Sequence, residues 1–124
     1  ADQNNPEARI RPKFFVDKLI GKILRIKLFY HPNVKFHIVE LFPRFDFPDD
    51  SPLARAPKSI NDTLRKRLNR RPIEGISIID CHDTLYCPSN FNAAYHSGQP
   101  DMLHLNGTGA QKVAQTLVGA IKQF

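Results

Sequence analysis

Apolar residues recur at Phe15, Leu19, Ile23, Ile26 and Tyr30, with Lys18, Lys22 and Arg25 between them. That spacing predicts an amphipathic helix over residues 13–30 with one buried face. His31 precedes Pro32, and a residue before proline is pushed out of the helical region, so the helix ends there. Residues 34–42 follow as a predicted strand whose Ile38-Val39 centre implies burial on both faces, as in a parallel sheet. Pro43 stops it. Pro48, Asp49, Asp50 and Pro52 then mark a loop that runs to Pro57.

A second helix is predicted over residues 59–71, with Ile60, Leu64 and Leu68 on one face, Ser59 as its cap and Asp62 in its first turn. Pro72 and Gly75 close it, and residues 76–80 form a second short strand. Residues 81–100 make a long irregular stretch, a length at which loops are usually functional. A last helix starts at Thr108, with Gln111 completing a capping-box spacing. Its expected stripe is Val113, Leu117, Ile121 and Phe124. Residues 1–12 are polar, broken by Pro6 and Pro12, and read as a loop. The alternation of helix and strand predicts an α/β fold with a parallel sheet and right-handed crossovers. No repeat or linker divides the chain, so residues 1–124 form one expected domain.

Composition changes this picture little. A hydrophobic content of 41% suffices for a core, and no apolar run is long enough to span a bilayer. No membrane partner is therefore expected, and no secretory leader pattern is present, which favours an intracellular location. Eighteen basic against twelve acidic residues leave a net charge of +6. That balance fits a solvated basic surface, or one facing an acidic partner. Arg65, Lys66, Arg67, Arg70 and Arg71 concentrate the charge on and after the second helix. As a site they would contact phosphates of nucleic acid, non-specifically and with strong salt dependence. As a surface they form an ordinary solvated helix face. Cys81 and Cys87 make no disulfide framework. With His82 and His96 they do not follow zinc-ligand spacing, so no metal is expected and Cys81 is read as a strand-end hydrophobe.

The candidate chemistry lies near the end of the chain. Asp101 stands three residues before His104, and Gly107 and Gly109 follow. A carboxylate at that spacing can accept the Nδ1 proton of His104, leaving Nε2 to take a proton from a nucleophile. No nucleophile sits in a recognisable turn. Ser51, Ser59, Ser77, Ser89 and Ser97 lack an activated elbow, although Ser97 precedes Gly98 close to the pair.

The block Asp101-x-x-His104-Leu105-Asn106-Gly107, with Ala114 and Leu117 beyond it, resembles the last block of SGNH (GDSL-type) hydrolases. Residues 36–44, ending in Pro43-Arg44, are similar to that family's fourth strand. Ile60, Asn61, Asp62 and Leu64 resemble its next helix. Residues 78–83 resemble its fifth-strand region. The likeness runs from about residue 34 to 124. It is particularly similar to divergent eukaryotic SGNH domains associated with animal retroelement-like genes. The resemblance implies the carboxyl half of a three-layer α/β/α sandwich, a partial domain whose amino-terminal half is missing. It implies ester hydrolysis without a cofactor, with Asp101 and His104 as acid and base. The family's oxyanion asparagine maps to Asn4 if residues 2–5 are a degraded Gly-x-Asn-Asp. Its Gly-Asp-Ser nucleophile block is absent. The expected chain is therefore inactive alone on a small ester. The alternative is a non-catalytic SGNH-like binding module that uses its basic surface for nucleic acid or protein. The strand at residues 34–42 would lack its family neighbour, which predicts self-association through the exposed sheet edge, marginal stability, or the need for an amino-terminal segment to complete the sheet.

Overall fold

The computed structural model describes residues 11–30, 32–48, 50–86 and 104–123. They form an α/β arrangement of three helices and a short two-stranded parallel sheet. The order is α1 (Pro12–Phe29), β1 (Phe36–Val39), α2 (Pro52–Arg70), β2 (Ile76–Ile79) and α3 (Gly107–Gln123). Phe36, His37, Ile38 and Val39 face Ile76, Ser77, Ile78 and Ile79 in register. The strands are shorter than expected. Phe36, His37 and Ile38 are half-buried and Val39 is exposed, so β1 is not covered on both faces. Among the described residues no helix is long and apolar enough to cross a membrane.

Two apolar clusters hold these elements. In the first, Val16 and Ile20 of α1 meet Leu64 of α2, with Leu19, Ile38, Ile60, Leu68, Ile73 and Ile78 around them. The predicted α2 stripe of Ile60, Leu64 and Leu68 is the one used. The α1 face is used in part. Ile23 is buried and Leu19 packs on the cluster, but Val16 and Ile20 are buried in place of Phe15, Ile26 and Tyr30, which are exposed. Apolar residues surround α1 on every side, so periodicity alone does not select the packed face. The outward residues Phe14, Leu28 and Phe29 stay exposed, and the Lys18 ammonium lies 4.7 Å from the Phe14 ring centroid. The second cluster joins Ile79, Cys81 and Leu85 to Phe42, Leu105, Val113, Leu117 and Ala120. Val113 and Leu117 of the expected α3 stripe take part. Ile121 is exposed, and Phe124 lies outside the described residues.

Both later helices start differently from expectation. Helix α2 begins seven residues before Ser59, because Pro52 suits the first turn and Ser51 accepts a hydrogen bond from the Ala54 amide at 3.2 Å. Pro57 falls inside the helix and forgoes one hydrogen bond near its start, and burial of its ring offsets that loss. Ser59 is exposed and caps nothing; its carbonyl accepts from Thr63 Oγ1 at 2.8 Å. In α3 the cap is Asn106, whose Oδ1 accepts from the Gly109 amide at 2.9 Å. A short amide reaches the open amides as well as the Thr108 hydroxyl would.

The amino ends of the strands are tied together. Lys27, near the end of α1, donates to the carbonyls of Pro32 at 3.1 Å and Val34 at 3.4 Å. The Phe36 amide donates to the Gly75 carbonyl at 2.7 Å. Gly75 has φ +85°, a left-handed conformation that side chains oppose, and a Cβ there would lie 3.1 Å from the Val34 oxygen.

Candidate functional site

His104 is exposed and immediately precedes Leu105. Packing of Leu105 against Ile79, Cys81 and Leu85 sets that backbone beside the carboxyl end of β2. Parallel sheets gather their sites at this edge. Asp101, Asn4 and Ser97 lie outside the described residues, as do Cys87 and His96. The expected Asp101–His104 contact and the oxyanion role of Asn4 fall with them.

The carboxyl end of β1 leads into a polar cluster. The Glu40 amide donates to the Ile79 carbonyl at 3.0 Å, which extends the ladder by one bond. Its carboxylate is 5% exposed and accepts from Arg65 Nε at 2.7 Å. That bond, more than the nearby charge, holds the Arg65 guanidinium above its ordinary range. One helical turn earlier, Asn61 is buried and bonds to both backbone polar groups of Leu41. Its Oδ1 accepts from the Leu41 amide at 2.9 Å, and its Nδ2 donates to the Leu41 carbonyl at 3.0 Å. The side-chain amide thus satisfies a backbone unit just past the end of the strand.

Beyond β2, Asp80 is exposed, Cys81 and His82 are buried, and Asp83 is exposed. A turn closes this segment through bonds from the Leu85 amide to the His82 carbonyl and from the Tyr86 amide to the Asp83 carbonyl. The His82 Nδ1–H donates to Asp83 Oδ1 at 3.1 Å. This bond is the main reason the Asp83 carboxyl sits below its ordinary range. A depressed carboxyl stabilises the fold above the ordinary carboxylate range and loses that contribution as pH falls through its folded value. With the Asp83 side chain 76% exposed, solvent screens most of this effect. The His82 ring stacks against Tyr86, centroids 5.9 Å apart, and Tyr86 in turn meets Phe45 at 5.3 Å. Burial, ahead of the nearby Asp80 and Glu40 charges, pushes the Cys81 thiol up, which leaves it a poor nucleophile.

The basic run is divided between two surfaces. Lys66, Arg67, Arg70 and Arg71 line a groove of about 280 Å³ with Lys13 and Asp17 of α1. Arg65 turns away to Glu40. Ser77 donates to, or accepts from, His37 Nδ1 at 2.9 Å across the sheet. This pair sits at the second register position rather than at the carboxyl edge, and it satisfies polar atoms on the sheet face.

Glu40, Asn61 and the His82–Asp83 pair were not singled out as site residues by sequence. A polar residue directly after each Ile/Val strand, Glu40 and Asp80, was the available signal. Among the described residues no group of three or more His, Cys, Asp or Glu side chains is placed to hold a metal ion. No family model matches the chain, and neither a curated protein nor a solved structure matches it.

Proposed function

We propose that the chain is an SGNH-type hydrolase-like module, layered helix–sheet–helix, that carries the family's base on His104 but no competent nucleophile. The observation that supports this reading best is the position of His104. It lies between the carboxyl end of a parallel β–α–β unit and a closing helix capped by Asn106. In a complete site of this type a serine attacks the acyl carbon, His104 takes and returns its proton, and Asp101 orients the ring. Without the serine, only residual catalysis is left. The purified chain is expected to hydrolyse 4-nitrophenyl acetate no faster than its His104→Ala and Ser97→Ala variants. A rate well above theirs overturns the inactive reading and identifies the group responsible.

The groove between α1 and α2 favours a second reading, a binding module for nucleic acid. Lys13, Lys66, Arg67, Arg70 and Arg71 converge there from two helices, whereas Arg65 is committed to Glu40. Non-specific phosphate contact weakens steeply with salt. Self-association through the sheet edge belongs to the same proposal. Sedimentation velocity, with and without a single-stranded RNA at low and physiological salt, reads both properties. Co-sedimentation lost at the higher salt and in Arg67→Gln/Arg70→Gln supports the module. A monomer that ignores RNA at low salt excludes both.

A further inference from the structure

A second groove, of about 390 Å³, opens between the start of α2 and the turn after β2. Ala54, Arg55, Lys58, Ser59 and Asp62 form one wall, and His82 and Tyr86 form the other, with Arg44 at its rim. The volume lies within the range of small-molecule sites. It is separate from the α1–α2 groove and from His104.

Its charges are unevenly matched. Arg44 is taken by Asp46, bonded through Nε at 3.0 Å. Lys58 stands 3.8 Å from Asp62, beyond hydrogen-bond reach, with both side chains more than half exposed. Arg55 has no ion pair among the described residues. The groove therefore presents one guanidinium without an ion pair, one ammonium loosely held by the Asp62 carboxylate, and a histidine.

The histidine is prepared for a ligand. Asp83 accepts from its Nδ1–H at 3.1 Å, and Tyr86 stacks on the ring. These contacts fix the orientation and leave Nε2 as the nitrogen available to the groove. The residue as a whole is only 6% exposed, yet no buried side-chain nitrogen or oxygen among the described residues lacks a partner. Nε2, which no described group engages, therefore keeps contact with solvent, and His82 lines both this groove and an adjoining cavity with Glu40, Asp80 and Asp83.

We propose that this groove is a binding site for a phosphate monoester, with the phosphate held by Arg55, Lys58 and His82 Nε2. A phosphate carries about −1.5 to −2 charges at neutral pH and three strong acceptor oxygens. Arg55 offers a planar fork and Lys58 a point charge, two positive charges against the one negative charge of Asp62 on the same wall. Nε2 adds a third contact to a phosphate oxygen. A monocarboxylate has two oxygens for these three groups, whereas a phosphate monoester has three. The site needs no ester hydrolase and no nucleic-acid groove, so it stands independently of both readings above.

The test is a titration of the ¹⁵N-labelled full chain with inorganic phosphate and with phenyl phosphate, following the ring signals of its five histidines. The expected result is a saturable shift at His82 with both phosphates. Acetate, and sodium chloride at matched ionic strength, leave it in place. Arg55→Gln and Lys58→Gln are each expected to weaken phosphate by about ten- to a hundredfold, as loss of one charge-assisted bond does. Both side chains are surface groups, so both variants keep the wild-type spectrum elsewhere. Arg70→Gln, in the other groove, is expected to leave the affinity unchanged. A His82 shift that chloride reproduces, an unsaturated titration, or an equal loss in Arg70→Gln overturns the proposal.

Discussion

Asn61→Ala is expected to lower the unfolding free energy by roughly 2–3 kcal/mol, a large share of the stability of a small domain. The side chain makes two hydrogen bonds to the backbone of Leu41, one to its amide and one to its carbonyl. Each contributes only about 1 kcal/mol net. The larger cost comes from what remains. The amide and carbonyl of Leu41 lose both partners, and a buried unsatisfied polar group costs about 1–3 kcal/mol. Partial hydration of Leu41, whose side chain is exposed, keeps the total from the upper limit of that sum. Asn61→Asp separates the two bonds: it retains an acceptor for the Leu41 amide but places a carboxylate against the Leu41 carbonyl. It is expected to destabilise at least as much at neutral pH. Urea unfolding at unchanged slope reads both values. A loss below about 0.5 kcal/mol for Asn61→Ala would mean that Leu41 does not depend on this residue.

A larger effect is expected from Leu85→Ala, about 2.5–5 kcal/mol, the range for deleting a fully enclosed leucine. Leu85 is fully buried where the turn after β2 meets Val113 and Leu117 of α3. Its removal leaves a cavity that the turn can close only by moving His82, whose carbonyl accepts from the Leu85 amide. Leu64→Ala should cost a similar amount, since Leu64 holds the α1–α2 contact in the other cluster. Native-state hydrogen exchange distinguishes them. Leu85→Ala should speed exchange first at the α3 amides and at Leu105, and Leu64→Ala first at those of α1. Equal acceleration everywhere in both variants would show that the two clusters open as one unit.

The parts of the fold that local pattern determines were legible. Leu64 and its neighbours lie on a helix polar elsewhere, so one face stands out. Helix α1 offers apolar residues in every direction, and its partner α2, not its own period, selects Val16 and Ile20 over Phe15 and Ile26. The caps differ from expectation: Ser51 rather than Ser59 opens α2, and Asn106 rather than Thr108 opens α3. Pro52 favours the earlier start of α2, and Pro57 is accommodated inside the helix. The pairs Glu40–Arg65 and Asn61–Leu41 join residues 25 and 20 positions apart. No local period encodes such contacts; they follow from the crossover that lays α2 beside the end of β1. His82 and Asp83 were adjacent in sequence, yet the cysteines beside them drew the comparison towards zinc spacing.

The clamp at the amino ends of the strands has an evolutionary consequence. One ammonium, Lys27, joins the end of α1 to the segment before β1, and a glycine that admits no side chain brings β2 alongside. Strand alignment is therefore set at the end of the sheet farthest from Glu40, Asn61 and His82. Sequence drift should be scarce around Lys27 and Gly75 and freer in the segments that leave the opposite end. Loops there can lengthen, shorten or exchange polar groups while the strands stay aligned. A descendant of this chain could acquire new ligand preferences without first relearning how to fold.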